Sequence, residues 1–334
     1  MEAMKLRAPG GLDKLELTGI DARAPGPGEI QVEVKASSLN FRDYAVVMGL
    51  LPTDDGRIPM SDGAGIVTAV GEGVQGFAAG NKVLSHFFPH WVDGPVAFEK
   101  IQGVPGGDVD GFAARTVTMP GAAFSRMPSN LDFAEAATLT CAGLTAWRAL
   151  MVETHLRPGD WVLVQGSGGV SLFALQFAKM MGCRVVATSS SDEKLQRLAA
   201  LGADQLINYK DIPAWGDEVL ELTGGHGADL VVEVGGSGTV PQSVRAVSFG
   251  GCISMIGVLT GFAGEVPTAE LFQKNARISG ITVGSHAHQR DMIAAIEAND
   301  LRPVIDSSFA LEELAEAFRH QESQRHFGKI CVTL

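Results

Sequence analysis

A mixed α/β fold, β-rich at first and then built on a doubly wound parallel sheet, is what this 334-residue sequence predicts. Three observations carry the prediction. Short alternating apolar stretches between turn signals fill the chain to roughly Pro128. From Trp161 onward, buried strand-like runs alternate with helical patterns. At the first strand-to-helix turn of that alternation stands a glycine cluster, in VLVQGSGGVSLFALQFAK from Val162 to Lys179.

In the first part, EIQVEVKAS (29–37) and GAGIVTAVG (63–71) alternate with a period of two and follow turn signals such as PGPG (25–28). AAGNKVLS (78–85) reads as a turn and then a strand. The second part opens with strand WVLVQ (161–165) and a helix over about 167–181. Strand CRVVATS (183–189), helix SDEKLQRLAALG (191–202) and a short strand QLINY follow. In that helix Ser191 suits the N-cap, Asp192 and Glu193 sit where the dipole favours acids, and Gly202 ends it. ADLVVEVGG (228–236) and GCISMIGV (251–258) read as buried strands. This alternation requires a parallel sheet with right-handed crossovers. The tail, from about Thr282, carries helix LEELAEAFRHQES (311–323) and strand KICVTL, which can return to the first domain.

Composition narrows the function. Hydrophobic residues make up 46% and charged residues 19%, values of a soluble globular protein with room for two cores. The 41 glycines are scattered, so they mark turns and close approaches and not a linker. A net charge of −12 argues against nucleic acid and anionic membrane as partners. No apolar run approaches a membrane span, and MEAMKLRAPGG has no apolar signal core. The 4 cysteines contain no CxxC pair, as expected of reduced thiols in a cytoplasmic protein.

The glycine cluster, placed after a buried strand and before a helix in a βαβ unit, reads as a phosphate cradle. Gly166 permits the sharp turn, and the N–H groups of Gly168, Gly169 and Val170 can approach a pyrophosphate at the positive helix end. Ser171 replaces the third glycine of the usual fingerprint, and its added bulk sets the helix slightly farther from the strand. The end of the second strand selects the nucleotide. Where NAD sites place an acid, this chain has Thr188, Ser189, Ser190 and Ser191, with Lys194 one turn into the helix. Neutral hydroxyls and a cation suit a 2′-phosphate, so the expected cofactor is NADP(H). Ser191 can equally serve as a helix cap alone.

Across nearly its whole length the chain resembles the medium-chain dehydrogenase/reductase family, in its zinc-independent quinone oxidoreductase and enoyl reductase-like branch. The resemblance rests on SLNFRDY (38–44), SDGAGIV (61–67), AATLTCAGLTAW (136–147), VLVQGSGGV, LGADQLINY (201–209), VVEVGG and HFGKICV. It implies a GroES-like β-rich catalytic domain over 1–141 and 283–334, and a Rossmann nucleotide-binding domain over 142–282. It also implies a homodimer paired through Rossmann sheet edges. Zinc-dependent relatives ligate a catalytic metal with Cys, a His-Glu pair and a second Cys. Here those positions read Asn40, Met60-Ser61-Asp62 and Cys141, so only one ligand type remains and no metal is expected. A substitute set from His86, His90, His286 and His288 is disfavoured by Pro89, which breaks helical spacing.

The site residues that the resemblance implies follow. Asn40 faces the nicotinamide or a substrate oxygen, or closes a turn. Asp43 is a second catalytic candidate, or pairs with Arg42 to orient the loop. Tyr44 donates a proton, or walls the pocket. Cofactor positions are Thr145, Tyr209 beside Lys194, Gly235, Ile256, Gly257, Val258, Val283 and Lys329. Phe87, Phe88 and Trp91 wall the substrate side or pack the core. The function implied is hydride transfer from NADPH to an activated C=C bond or a quinone. A metal-free alcohol/aldehyde dehydrogenase and an NADPH-binding protein without turnover stay open, and the small-molecule substrate is not specified.

Overall fold

A computed structural model describes residues 1–334. The chain forms two compact units, one of Met1–Leu144 with Gly284–Leu334 and one of Thr145–Val283.

The second unit is a six-stranded sheet: β1 (Trp161–Gln165), β2 (Arg184–Ser189), β3 (Gln205–Asn208), β4 (Ala228–Glu233), β5 (Val247–Met255) and β6 (Arg277–Gly280). All neighbours are parallel, and the spatial order is β3-β2-β1-β4-β5-β6. This is the dinucleotide-fold order, in which the direction of winding reverses between β1 and β4. Every residue of β1 is buried, as the central strand of a two-sided sheet demands. Leu163, Val186, Val231 and Ile253 from the strands pack with Trp215, Val219 and Val244 from the helices. Helix α1 (Gly169–Met180) follows β1, and α2 (Asp192–Ala200) follows β2 with Ser191 accepting from Lys194 N. Ser171 is buried, and its hydroxyl donates to Gln165 O (2.7 Å). The serine therefore ties helix to strand end, where bulk alone had suggested a looser fit.

In the first unit the ten-residue strand Glu29–Ser38 is central. It pairs antiparallel with Ala64–Val70, with Thr116–Pro120 and, at its end, with the terminal strand Lys329–Thr333. Its inward residues Ile30, Val32 and Val34 share a core with Phe112, Phe124, Phe318, Ile330 and Val332. The expected return of the last strand thus occurs, and it carries Lys329 to the two residues just beyond the central strand, Leu39 and Asn40.

Candidate functional site

Asn40 is the second residue after the central strand. It caps helix Phe41–Val47, with Asn40 N donating back to Asp43 Oδ2 (3.0 Å). Asp43 is fully buried and also accepts from Ser61 N (2.9 Å), Ser61 Oγ and Asn40 Nδ2. It therefore fastens the 58–62 loop to the helix start. Met60 stands in the left-handed region (φ 80°), unusual for a non-glycine residue. The loop is held there by Phe112 N on Met60 O (2.9 Å) and Gly111 N on Ile58 O (2.8 Å).

Lys329 closes the cluster. Its buried Nζ donates to Leu39 O (2.5 Å) and Asn40 Oδ1 (2.6 Å), and lies 3.6 Å from Asp62 Oδ2. Asp62 Oδ2 accepts from Ser38 Oγ (2.6 Å), while Asp62 Oδ1 is buried with no partner. Burial pushes the Asp62 carboxyl up to about 6 against the pull of Lys329. Burial likewise raises Asp43 above the usual carboxylate range. Desolvation, reinforced by the Asp62 charge, pushes the half-buried Cys141 thiol well above its ordinary value.

The three catalytic candidates separate here. Asn40 and Asp43 belong to this cluster, and both are consumed by internal hydrogen bonds. Because an ammonium can only donate, Asn40 must turn its oxygen to Lys329 and its NH₂ to Asp43, Ser38 O and Ser61. Tyr44 faces elsewhere, its hydroxyl donating to Glu322 (2.7 Å) and its ring against Phe318. Tyr44→Phe is accordingly expected to leave turnover within about twofold and to cost less than about 1 kcal/mol of stability. A tenfold loss of turnover in steady-state assays would return Tyr44 to the chemistry. No Arg42–Asp43 salt bridge forms. Consecutive helical residues diverge, and Arg42 instead reaches Pro105 O (3.4 Å) and lies over the Phe87 ring.

The aromatic segment after Ser85 is core. Phe87, Phe88 and Trp91 are buried, and the Trp91 ring meets His288 edge-on. His86 stacks on His286 with centroids 3.6 Å apart and rings 7° from parallel. Burial drives His86 down to about 3 and lowers His286 as well, so this pair is neutral.

In the second unit the cofactor candidates gather at the carboxyl ends of the strands. Gly166 follows β1 in the left-handed conformation (φ 71°), and α1 starts at Gly168 without a side-chain cap. Its first N–H groups have no helical partner, which fits an anionic ligand. Ser189 ends β2 and Ser190 follows it, with Ser189 Oγ accepting from Ser191 N. Tyr209 follows β3 and is exposed. Asp192, at the start of α2, accepts from the Asn208 amide (2.8 Å). Gly236, Gly257, Val258 and Phe262 line an open groove beyond β4 and β5; Gly235 precedes Gly236 after β4, and Ile256 directly follows β5. Thr145 is buried at the start of this unit, and Val283, at its end, holds a left-handed backbone (φ 42°). Lys329 lies in the other unit, inside the buried cluster. The reading from sequence missed Glu233 and treated Asp62 only as a lost ligand. An acid within an apolar run, VVEVGG, was the available signal.

Comparison with known proteins matches residues 26–129 to an alcohol dehydrogenase GroES-like domain and residues 169–298 to a zinc-binding dehydrogenase domain. A zinc-type alcohol dehydrogenase-like protein of Schizosaccharomyces pombe is 43% identical over 96% of this chain and 97% of its own. Among solved structures, an NAD-dependent alcohol dehydrogenase superposes with a TM-score of 0.92 at 36% identity, covering 100% of both chains. A crotonyl-CoA carboxylase/reductase in complex with NADP gives 0.90 at 25% identity, covering 100% of this chain and 94% of that one. A quinone oxidoreductase of Pseudomonas syringae gives 0.85 at 26% identity, covering 100% and 99%.

Proposed function

We propose, from the premise that this chain belongs to the medium-chain dehydrogenase/reductase family and to its quinone oxidoreductase and enoyl reductase-like branch, that it is a zinc-independent, NADPH-dependent reductase of an activated C=C bond or a quinone. Membership makes it an oxidoreductase with a nicotinamide cofactor. The proposal concerns the cofactor's identity, the metal and the acceptor.

The observation that carries it is Lys329. Its ammonium already serves Asn40 Oδ1, at the first position where zinc relatives place a ligand. Zinc needs three or four thiolate, imidazole or carboxylate donors. These positions offer an amide, a hydroxyl, a thiol with a raised pKa and one carboxylate, Asp62, whose charge already faces a buried cation that would repel the metal. No three His, Cys, Asp or Glu side chains elsewhere are grouped to hold one. The donor set does not fit zinc. A conjugated acceptor suits such a site, because hydride arriving at its β-carbon leaves negative charge on an oxygen that hydrogen-bond donors can hold.

NADPH, when bound, supplies the hydride. The uncapped start of α1 at Gly168, Gly169 and Val170 binds the pyrophosphate. Ser189, Ser190 and Lys194 bind the 2′-phosphate, with Tyr209 beside them. Gly235 and Ile256–Val258 present backbone to the nicotinamide half. Lys194→Ala should weaken NADPH about tenfold or more in KM and leave NADH within about twofold; equal effects on both would remove the phosphate role. The similarity to an NAD-dependent enzyme and the Asp192 carboxylate favour a second reading, NADH as cofactor. Oxidation of NADPH and NADH at 340 nm, run against enones, quinones and aldehydes, separates these readings. Activity confined to aldehydes, or about one zinc per purified chain, would overturn the proposal. We also propose that β6, an edge strand, pairs with its copy in a homodimer; light scattering giving a monomer mass refutes it.

A further inference from the structure

We infer that Glu233, which is completely buried and cannot reach a ligand, is the positioning residue that shapes the nicotinamide half of the cofactor crevice. The inference rests on the dinucleotide reading given above.

Glu233 ends β4, the strand beside β1 at the point where the winding reverses. A dinucleotide bridges that point, with its second mononucleotide on the β4–β6 half. The Glu233 carboxylate accepts from five donors. Oε1 takes Gly235 N (2.8 Å), Gly236 N (2.9 Å) and Thr239 Oγ1 (2.6 Å). Oε2 takes Gln165 Nε2 (2.8 Å) and Ser243 Oγ. Gln165 is the last residue of β1, so this pair spans the reversal point itself. The other Gln165 amide atom accepts from Gly235 N (3.3 Å).

From this anchor the order spreads to the groove. Glu233 O accepts from Ile256 N (2.9 Å) and Gly257 N (3.1 Å). Thr260 N (2.7 Å) and Oγ1 (2.9 Å) donate to Gly235 O, and Gly238 N donates to Thr260 Oγ1 (2.8 Å). One residue thus fixes both loops that flank the groove. The fit is close: a Cβ on Gly257 would stand 1.9 Å from Val234 O, and one on Gly235 2.3 Å from Thr239 Oγ1. Every partner of the carboxylate is a donor. An amide at this position sets N–H against N–H or O–H in either orientation, and the glycine N–H groups cannot turn away.

The test compares two ligands on the full chain by calorimetric titration: NADPH, and 2′-phospho-ADP-ribose, which lacks the nicotinamide ring. Glu233→Gln should weaken NADPH about tenfold or more and leave 2′-phospho-ADP-ribose within about twofold, because the glycine N–H groups that the carboxylate orders lie on the β4–β6 half and its only tie to the β1–β3 half is the Gln165 side chain. NADH and ADP-ribose form the equivalent pair if wild type prefers them. Thr239→Val removes one donor with little change of shape; it should weaken the full cofactor alone by a few-fold and covers the case in which Glu233→Gln does not fold. Unchanged affinity for both ligands in the variants, or equal losses for both, overturns the inference. Wild type that binds neither ligand overturns the dinucleotide reading together with the inference, whereas wild type that binds both, beside variants that fail as stated, overturns the inference alone.

Discussion

Lys329→Met is expected to destabilise the protein by about 3 kcal/mol at pH 7 and by only about 1–2 kcal/mol at pH 4. Methionine fits the space but leaves Asp62 with neutral hydrogen-bond donors only, Ser38 foremost, beside the Asp43 carboxylate. A buried carboxylate deprived of its cation escapes by taking a proton. Against the folded value of about 6 that it has beside Lys329, holding that proton at pH 7 costs about 1.4 kcal/mol more than in wild type, and at pH 4 nothing, because Asp62 is protonated there in both. What persists at pH 4 is the loss of a donor to Leu39 O and Asn40 Oδ1. Urea unfolding at the two pH values measures the difference. The double variant Lys329→Met/Asp62→Asn should recover at least about 1 kcal/mol at pH 7, since the stranded charge is gone. Equal destabilisation at both pH values would show that Lys329 acts by packing and not as the cation of this cluster.

Asp62→Asn by itself should make the protein more sensitive to acid. The folded Asp62 carboxyl sits at about 6 and the unfolded one near 3.8. Its contribution to stability is therefore complete below 3.8 and is lost as pH rises through 6. His86 runs the other way. Held neutral down to about 3, it leaves the unfolded chain to bind a proton first, below 6.5, so stability falls as pH drops from 6.5 toward 3. Each slope reaches at most about 1.4 kcal/mol per pH unit, and between about 4 and 6 they offset. Removing the Asp62 term exposes the His86 term. From pH 7 to pH 4 the variant should lose about 3 kcal/mol more than wild type in the same urea series. His86→Phe should shift the balance oppositely. Parallel wild-type and Asp62→Asn curves would mean that Asp62 does not titrate where its burial places it.

Much of the fold was legible because its signals are local. The period-two runs and the alternation after Trp161 marked β1, β2 and β4 to within a few residues, and Ser191 was visible as a cap. Element ends shifted where tertiary pairing extended or cut them: β5 begins at Val247, four residues before the expected Gly251, because Val247 still pairs with Ala228 of β4 across an irregularity in the ladder. The candidate site was legible only as a set of positions. The sequence placed Asn40, Asp43 and Tyr44 together in one short NFRDY stretch, read as a turn or loop, but could not say that two turn inward at a helix start while the third reaches Glu322.

By itself, then, the sequence determined the α/β class, the order of strands and helices, the glycine turn before α1 and the family. These depend on periodicity, turn chemistry and motif, which act over a few residues. Only the tertiary structure decided what those positions do to one another. Lys329 reaches Asn40 across 289 positions of sequence because the terminal strand pairs with the central one. Gln165 meets Glu233 across 68 because β1 and β4 are neighbours where the winding reverses. A hydrogen bond between side chains so far apart is set by sheet topology, and no local pattern encodes it.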